Sequence, residues 1–464
     1  MTLEEENARL RSENIRLQAE QTRLTTALAA ALERVAALEA QLAALQASKA
    51  TPSFVKAATP RKEPKTRKRR APEHNKGRRR ESPTEIVQHA LEHCPDCGYR
   101  LRGQSVARTR QVLDLPRPTP IVVTEHQILK RWCPHCTRWR TPHIDWQAAG
   151  IAMGQGRLGQ RLVALLAYLR TVARLPVRTI QEYLQTLHGL QLSVGAITGV
   201  LDRLAQAAAP AREELLAQVR ASPAVHADET GWREAGRNGY IWTLSTPGRD
   251  GVRLFHRDAS RAGAVLTGLL GERYPGCVVS DFYAAYSAHH GRHQRCWVHL
   301  LRDLHQLGED YPHDATVAAW RTAVRALYDR AQAVLRHPRR TPLGRAERQR
   351  LFAHYEERAR QLGLQYADHP AHPCHTLAHR LLRFHGQLFE FVRTPGVHAD
   401  NNLAERSLRP LVIARKISGG SRSPRGSHTR MTLASLFATW QARGLNPFDQ
   451  CRDLLRHPHS FLPV

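Results

Sequence analysis

The sequence predicts a multidomain α+β protein: an N-terminal coiled coil, a zinc ribbon, a helical region of helix-turn-helix type, and an α/β core with a helical insertion. Three observations predict it. A seven-residue apolar repeat opens the chain, two C-x-x-C pairs follow a very basic stretch, and two short apolar strands farther on each end on an aspartate. Among 464 residues Lys plus Arg number 69 against 41 acids, a formal charge of +28. Such an excess favours polyanionic partners, nucleic acid before an acidic membrane, and says nothing of the fold. No uninterrupted apolar stretch approaches the roughly 18–20 residues a membrane span needs. The opening MTLEEENARL is too acidic and polar for a secretory signal. Cysteine is sparse, eight in all, which argues for metal binding in a reducing compartment over a disulfide scaffold. The expected class is a soluble cytoplasmic protein that meets nucleic acid and no membrane.

Residues 1–48 space Leu3, Leu10, Leu17, Leu24, Ala31, Leu38 and Leu45 seven apart; taken as d positions, they put Asn7, Asn14, Gln21, Leu28, Val35 and Leu42 at a. An apolar seam of this length without Gly or Pro predicts a coiled coil, and Asn at a fixes register at some loss of stability. Its expected use is a parallel homodimer; the alternative is a lone amphipathic helix packed on its own domain. Residues 49–84 shift to Pro, Lys and Arg (KAATPRKEPKTRKRRAPEHNKGRRR), a disordered linker that adds salt-dependent phosphate contact. In a eukaryote the same run reads as nuclear targeting. Within 85–145, CPDCGYRL and RWCPHCTRW supply Cys94, Cys97, Cys133 and Cys136, and the intervening QVLDLPRPTPIVVTEHQILKRW reads as two strands. Four thiolates in two knuckles suit structural, tetrahedral Zn²⁺. A redox C-x-x-C is the rival, weakened by the second pair and by the lack of a βαβ pattern. Residues 150–220 read as three helices, with Pro176 starting the second, Gly189 stopping it and Ser193 capping the third. The tight middle connection gives a helix-turn-helix that either contacts DNA or only packs.

From 221 the pattern turns to short β-rich runs, PAVHADETGW, GYIWTLST and VRLFHRD, a meander. AGAVLTGLLGERY then reads as a helix, and GCVVSDFYAAY as a buried strand ending on Asp281. The first run ends on two adjacent acids, Asp228 and Glu229. A strand-end acid is usually a turn residue, but two such ends in one small sheet suggest a shared cation site. A third acid should come from a helix beside the sheet. HADNNLAERSLRPLVIARK offers Glu405, with Asp400 or Asn401 as cap and Asn401, Asn402, Glu405 and Arg409 on one face. A Glu–Arg pair at that spacing is often only a surface ion pair. With Arg406, Arg409, Arg415 and Lys416 around it, a DNA-lined groove fits better, and Asn401, Asn402 and these four are the expected DNA contacts. Three hard oxygen ligands suit Mg²⁺ or Mn²⁺. Two such ions would activate the attacking oxygen and stabilise the leaving one in displacement at phosphorus.

HADET, SDFYAAY, CWVHLLRDL and ADNNLAERSLRPLVIARK, behind a leucine zipper and a double C-x-x-C, resemble the Insertion Sequence 66 (IS66) family of bacterial transposases over essentially the whole chain. The resemblance implies a ribonuclease-H-like core of the Asp-Asp-Glu type, with Asp228, Asp281 and Glu405 as its acids. It implies double-stranded DNA, element ends and target, as substrate, and small companion proteins encoded beside the transposase. Strand parity puts Glu229 on the face opposite Asp228, as a neighbour. CWVH (Cys296, His299) resembles a C-x-x-H element found beyond the second acid in several transposases and is expected to support the core. The expected boundaries are 221–300 and 396–440 for the core and 301–395 for a helical insertion. ISGGSRSPRGSHTR is a Gly/Ser/Arg loop, and 441–464 a C-terminal tail. Two rivals stand beside a transposase that cleaves and rejoins strands: a catalytically inactive DNA-binding regulator, and a metal nuclease without strand transfer.

Overall fold

The structure, a computed structural model, describes residues 3–47, 82–103, 105–106, 108–113, 121–154, 156–338 and 342–457. Most of the predicted basic linker lies outside the described residues. The chain divides into two compact units, Met1–Leu115 and Pro116–Val464. In the first, α1 (Leu3–Ala47) is one unbroken helix. Its leucines stand in solvent, Leu17 at 62%, Leu24 at 58% and Leu28 at 60% exposure. A helix that leaves its apolar seam uncovered has not buried it on its own unit. The same unit carries the first knuckle, where Gly98 donates to the Cys94 carbonyl at 2.9 Å.

The second unit begins with a small hairpin, β1 (Arg131–Cys133) and β2 (Arg138–Arg140), around the second knuckle. Of the stretch expected as two strands between the knuckles, residues 121–130 are exposed and form no strand, and residues 114–120 lie outside the described residues; the pairing falls on the knuckle itself. Four helices follow: α2 (Gln160–Thr171), α3 (Val177–His188), α4 (Val194–Ala207) and α5 (Ala209–Ala221). Pro176 is the N-cap of α3, Gly189 ends it at φ 64°, and the Ser193 hydroxyl caps α4 by accepting from the Ala196 N–H at 3.0 Å.

The core sheet has the order β5-β4-β3-β6-β7, from β3 (Ala224–Glu234), β4 (Arg237–Ser245), β5 (Arg253–Asp258), β6 (Cys277–Ser280) and β7 (Arg292–Arg295). The β3–β4–β5 meander is antiparallel; β6 runs parallel to β3 and β7 parallel to β6. The short helix α6 (Gly263–Leu270) makes the crossover from β5 to β6. Val225, Ala227 and Val278 face one core with α2, α4 and α5. Ala224, Cys277 and Val279 face a second, built by α7 (Trp297–Asp310), α8 (Ala315–Arg336), α9 (Arg345–Leu364), α10 (His375–Phe384) and α11 (Glu390–Arg393). Within the expected helical insertion, the run TLAHRLLRFHGQLFEFV forms α10 and α11, separated by a tight turn at His385–Gln387.

Helix α12 (Asn402–Ser418) lies across β3 and β4, with Leu408 and Leu411 packed on Trp232, Ile241 and Phe255. The expected loop after it is short. Gly419 (φ 71°) ends α12, and Gly420 (φ 120°) lets the backbone pass the Arg233 carbonyl, where an added Cβ would sit at 2.1 Å. Pro424, just after the Ser423 cap, already starts α13 (Pro424–Ala442). Nor is the expected tail a tail. Pro447–Arg456 forms α14, whose Cys451, Leu454 and Leu455 are buried in the first core, a contribution of about 1.5–3 kcal/mol per buried leucine.

Candidate active site on the central sheet

Asp228 sits four positions into β3. The parallel register pairs Ala224 with Cys277, Val225 with Val278 and His226 with Val279. Continued two steps, it sets Asp228 level with Asp281, the residue that follows β6. The two aspartates therefore lie side by side, Asp281 just past the end of β6 and Asp228 inside β3, which runs on to Glu234 where the sequence suggested that it ends. Helix α12 brings Glu405 in its first turn. Burial pushes the Asp228 carboxyl up to about 8, and the negative charges of Glu229, Asp281 and Glu405 add to the effect. Glu405 Oε1 is sealed from solvent without a hydrogen-bond partner.

Glu229 has the opposite surroundings. Its side chain is 2% exposed and accepts from Arg261 Nε at 2.8 Å and Nη2 at 2.6 Å. The Tyr286 hydroxyl donates to its other oxygen, and the Arg261 guanidinium lies over the Tyr283 ring at 3.9 Å. Both hydrogen-bonding partners come from the α6–β6–β7 side, so Glu229 has a complete structural role.

The approach of α12 is fixed by contacts that its own sequence does not announce. Asn401 Nδ2 donates to the Ala227 carbonyl at 2.8 Å, and the Asn401 N–H donates to Cys296 Sγ at 3.2 Å. The Trp297 N–H donates to the Ala399 carbonyl at 2.9 Å. His299, one turn into α7, places Nε2 3.8 Å from Glu405 Oε1. The cysteine and histidine of CWVH thus staple the start of α7 to the start of α12. Burial pushes the Cys296 thiol up to about 11, so it stays a neutral acceptor. Asn401 was expected on a DNA-facing surface and is instead 1% exposed beneath the helix. Its side chain makes no cap bond; Asp400 accepts the Asn402 N–H at 3.0 Å in its place. Arg415 is half-buried and donates to the Gly231 carbonyl and to Thr230 Oγ1. Asn402 is half-buried, while Arg406, Arg409 and Lys416 are exposed. His226, beside Asp228, is buried against the His398 ring at 5.2 Å.

Among the described residues no three His, Cys, Asp or Glu side chains stand close enough to enclose a metal ion as they lie. The fit to a divalent cation therefore rests on charge. The charges of Asp281 and Glu405 add to the cost of ionising Asp228, and Glu405 Oε1 is left without a hydrogen-bond partner, an environment that an added cation relieves. The thiol pairs fit metal in their own way. Backbone N–H groups, led by that of Asp96 for Cys94 and that of Cys136 for Cys133, lower both thiols from their ordinary value, and thiolate is the form that binds zinc.

A family profile described as "Transposase IS66 family" matches residues 155–429, more than half of the chain. The chain belongs to the IS66 transposase family. A second profile, "zinc-finger binding domain of transposase IS66", matches residues 92–137 of this IS66 chain and takes in all four cysteines, which supports structural zinc and DNA as a partner. The "Uncharacterized protein y4jO" of Sinorhizobium fredii (strain NBRC 101917 / NGR234) is 31% identical over 205 residues, 42% of this chain and 59% of that protein. The chain thus spans about three fifths of that relative's length. Among the described residues of the IS66 chain no helix is long and apolar enough to cross a membrane.

Proposed function

We propose that the chain is a DNA transposase of the Asp-Asp-Glu type, built on a ribonuclease-H-like core. The observation that carries the reading is the level placement of Asp228 and Asp281 on parallel strands beneath Glu405, with no basic side chain bonded to Asp228. Glu229, one residue away, is bonded by Arg261 and Tyr286, so the contrast is local and specific. Asp228, Asp281 and Glu405 would hold Mg²⁺ or Mn²⁺, which supplies activation of the attacking oxygen and stabilisation of the leaving one. Asn401 and Cys296 hold the first turn of α12 against β3, and His299 orients the Glu405 carboxylate. Arg406, Arg409 and Lys416 line the exposed side of the same helix and hold backbone phosphates of the bound duplex. Water attack at the element boundary would free a 3′-hydroxyl, and that hydroxyl would then attack target DNA. No side-chain nucleophile is required.

The other parts serve this reaction. The four cysteines hold Zn²⁺ and, with α3 and α4, present basic surface to the element ends. The uncovered apolar seam of α1 pairs with a second copy as a coiled coil, and small companion proteins of the element act alongside. The test uses labelled duplexes carrying the element ends, purified protein, Mg²⁺ or Mn²⁺, and the variants Asp228→Asn and Glu405→Gln. A metal-dependent nick at the boundary, absent in both variants and followed by joining to target DNA, is the expected result. Cutting without joining would make the chain a nuclease. Binding without cutting, with companion proteins supplied, would make it a regulator.

A further inference from the structure

Away from the three acids, a cavity of about 680 Å³ opens between α2–α4 and the outer halves of α12 and α13. Its size is that of a site for a small organic ligand, about 300–1,000 Å³. One wall is apolar, with Leu411 from α12 and Leu433 from α13. Elsewhere the lining is polar, hydroxyls and an amide among five arginines, Arg170, Arg174, Arg178, Arg422 and Arg430. The one carboxylate on its lining, Asp202, is engaged by Arg425 at 2.9 Å and by the Thr429 hydroxyl at 2.7 Å. No acid is left for the arginines.

Arg430 is the informative group. It is half-buried as a residue, yet its Nη2 is sealed from solvent and has no hydrogen-bond partner. Its guanidinium lies 5.7 Å from the centre of the Trp232 ring. Burial, and then the nearby charge of Arg170, push Arg430 down to about 9. Arg170 is itself half-buried, with Nη1 bound only to the Leu175 carbonyl at 2.8 Å. Two guanidiniums share one cavity with no counter-charge, an arrangement that costs stability unless an anion enters. The start of α13 lies on the same wall, where Ser423 caps the Gly426 N–H at 3.1 Å, and a helix N-terminus favours the same sign of ligand. Guanidinium forks match phosphate best, and the apolar wall asks that the phosphate carry an uncharged body.

We propose that this cavity is a nucleotide site, with the phosphate on Arg430 and Arg170 and the sugar and base against the wall formed by α12 and α13. The choice of a nucleotide over other phosphate esters rests on membership of a transposase family, and not on the assignment of the three acids. The nucleotide has two possible sources, a free mononucleotide or the terminal nucleotide of a DNA strand.

The test is binding by the full chain, at about 0.2 M salt so that diffuse attraction to a basic protein is screened. The probes are thymidine 5′-monophosphate, thymidine, inorganic phosphate, and a five-residue thymidine strand with and without a 5′-phosphate. Arg430→Met and Arg170→Met are compared with the unaltered protein. The phosphorylated probes should bind best, and each variant should lose at least about tenfold in affinity, the scale of a lost charged hydrogen bond. Ligand-free Arg430→Met should melt no lower than the unaltered chain, because an uncompensated charge is gone. A purely structural arginine gives the reverse, a lower melting temperature and unchanged binding, and that result overturns the proposal. So does inorganic phosphate binding as well as the nucleotide, or no binding of any probe at millimolar concentration. Preference for the phosphorylated strand identifies a DNA end as the source; preference for the monophosphate identifies a free nucleotide. All binding is measured without divalent metal, so that the failure of this proposal and the failure of the catalytic reading are read separately.

Discussion

The two faces of β3 treat adjacent acids in opposite ways. On the face toward α6, Glu229 is closed in by Arg261 and Tyr286 and serves as a buried strut. On the face toward α12, Asp228 meets Asp281 and Glu405, and nothing basic answers it. A single step along a strand separates a carboxylate that stabilises the fold from one that strains it. Negative charge alone thus marks no catalytic residue; what marks one is charge that the fold gathers and then leaves unbalanced.

The sharpest way to break this contrast is to exchange the consequences of losing each acid. Asp228→Asn should lower metal-dependent cleavage by about a thousandfold or more, the scale seen when a group that meets transition-state charge is removed. Its folding should be intact. Glu229→Ala should do the converse. Leaving Arg261 and Tyr286 without their acceptor costs about 1–3 kcal/mol, discounted because Arg261 is 43% exposed. Denaturant titration and an end-cleavage assay on the same two preparations decide it. Equal losses of both properties in both variants would dissolve the distinction.

A smaller effect should appear in metal-free protein as a function of pH. The folded pKa of Asp228, about 8, lies above its unfolded value, so the native state holds the proton more tightly. Stability therefore falls as pH rises from about 4 to about 8, and the penalty is complete above that. Asp228→Asn removes it. The melting temperatures of variant and unaltered chain should coincide near pH 4 and separate toward pH 8, with the variant the more stable. Added Mg²⁺ should raise only the unaltered chain. A gap that is widest in acid would mean that the carboxylate is balanced by a positive group after all.

Much of this architecture was legible because its signals are local. Pro176, Gly189 and Ser193 mark helix ends within a turn of where they act, and the apolar strands before Asp228 and Asp281 carry their own period. What escaped depended on distant partners. Parity separates Glu229 from Asp228, yet only Arg261 and Tyr286 show which face is satisfied. Asn401 looks like an exposed cap and is buried, because the carbonyl it needs belongs to Ala227. Arg430 looks like one more DNA-facing cation in a Gly/Ser/Arg run, and its burial follows from packing against α2 and Trp232. Helices α13 and α14, expected as loop and tail, do carry local start signals: Ser423–Pro424 and Asn446–Pro447 are each a cap followed by a first-turn proline.

The smallest predicted effect tests whether the staple between α7 and α12 belongs to the unbalanced face or only supports it. Cys296 Sγ accepts the Asn401 N–H in a fully buried site, and alanine there would leave that donor unmatched at a cost of about 1 kcal/mol. Serine offers an oxygen in nearly the same place. If the staple positions Glu405, Cys296→Ala should slow cleavage more than its stability loss explains, and Cys296→Ser should recover most of the rate. Affinity for the duplex should be unchanged in both, since Arg406, Arg409 and Lys416 are not disturbed. Should Cys296→Ala lose stability and keep its rate at a permissive temperature, the cysteine would be core packing alone, and α12 would owe its position to Asn401 and the sheet.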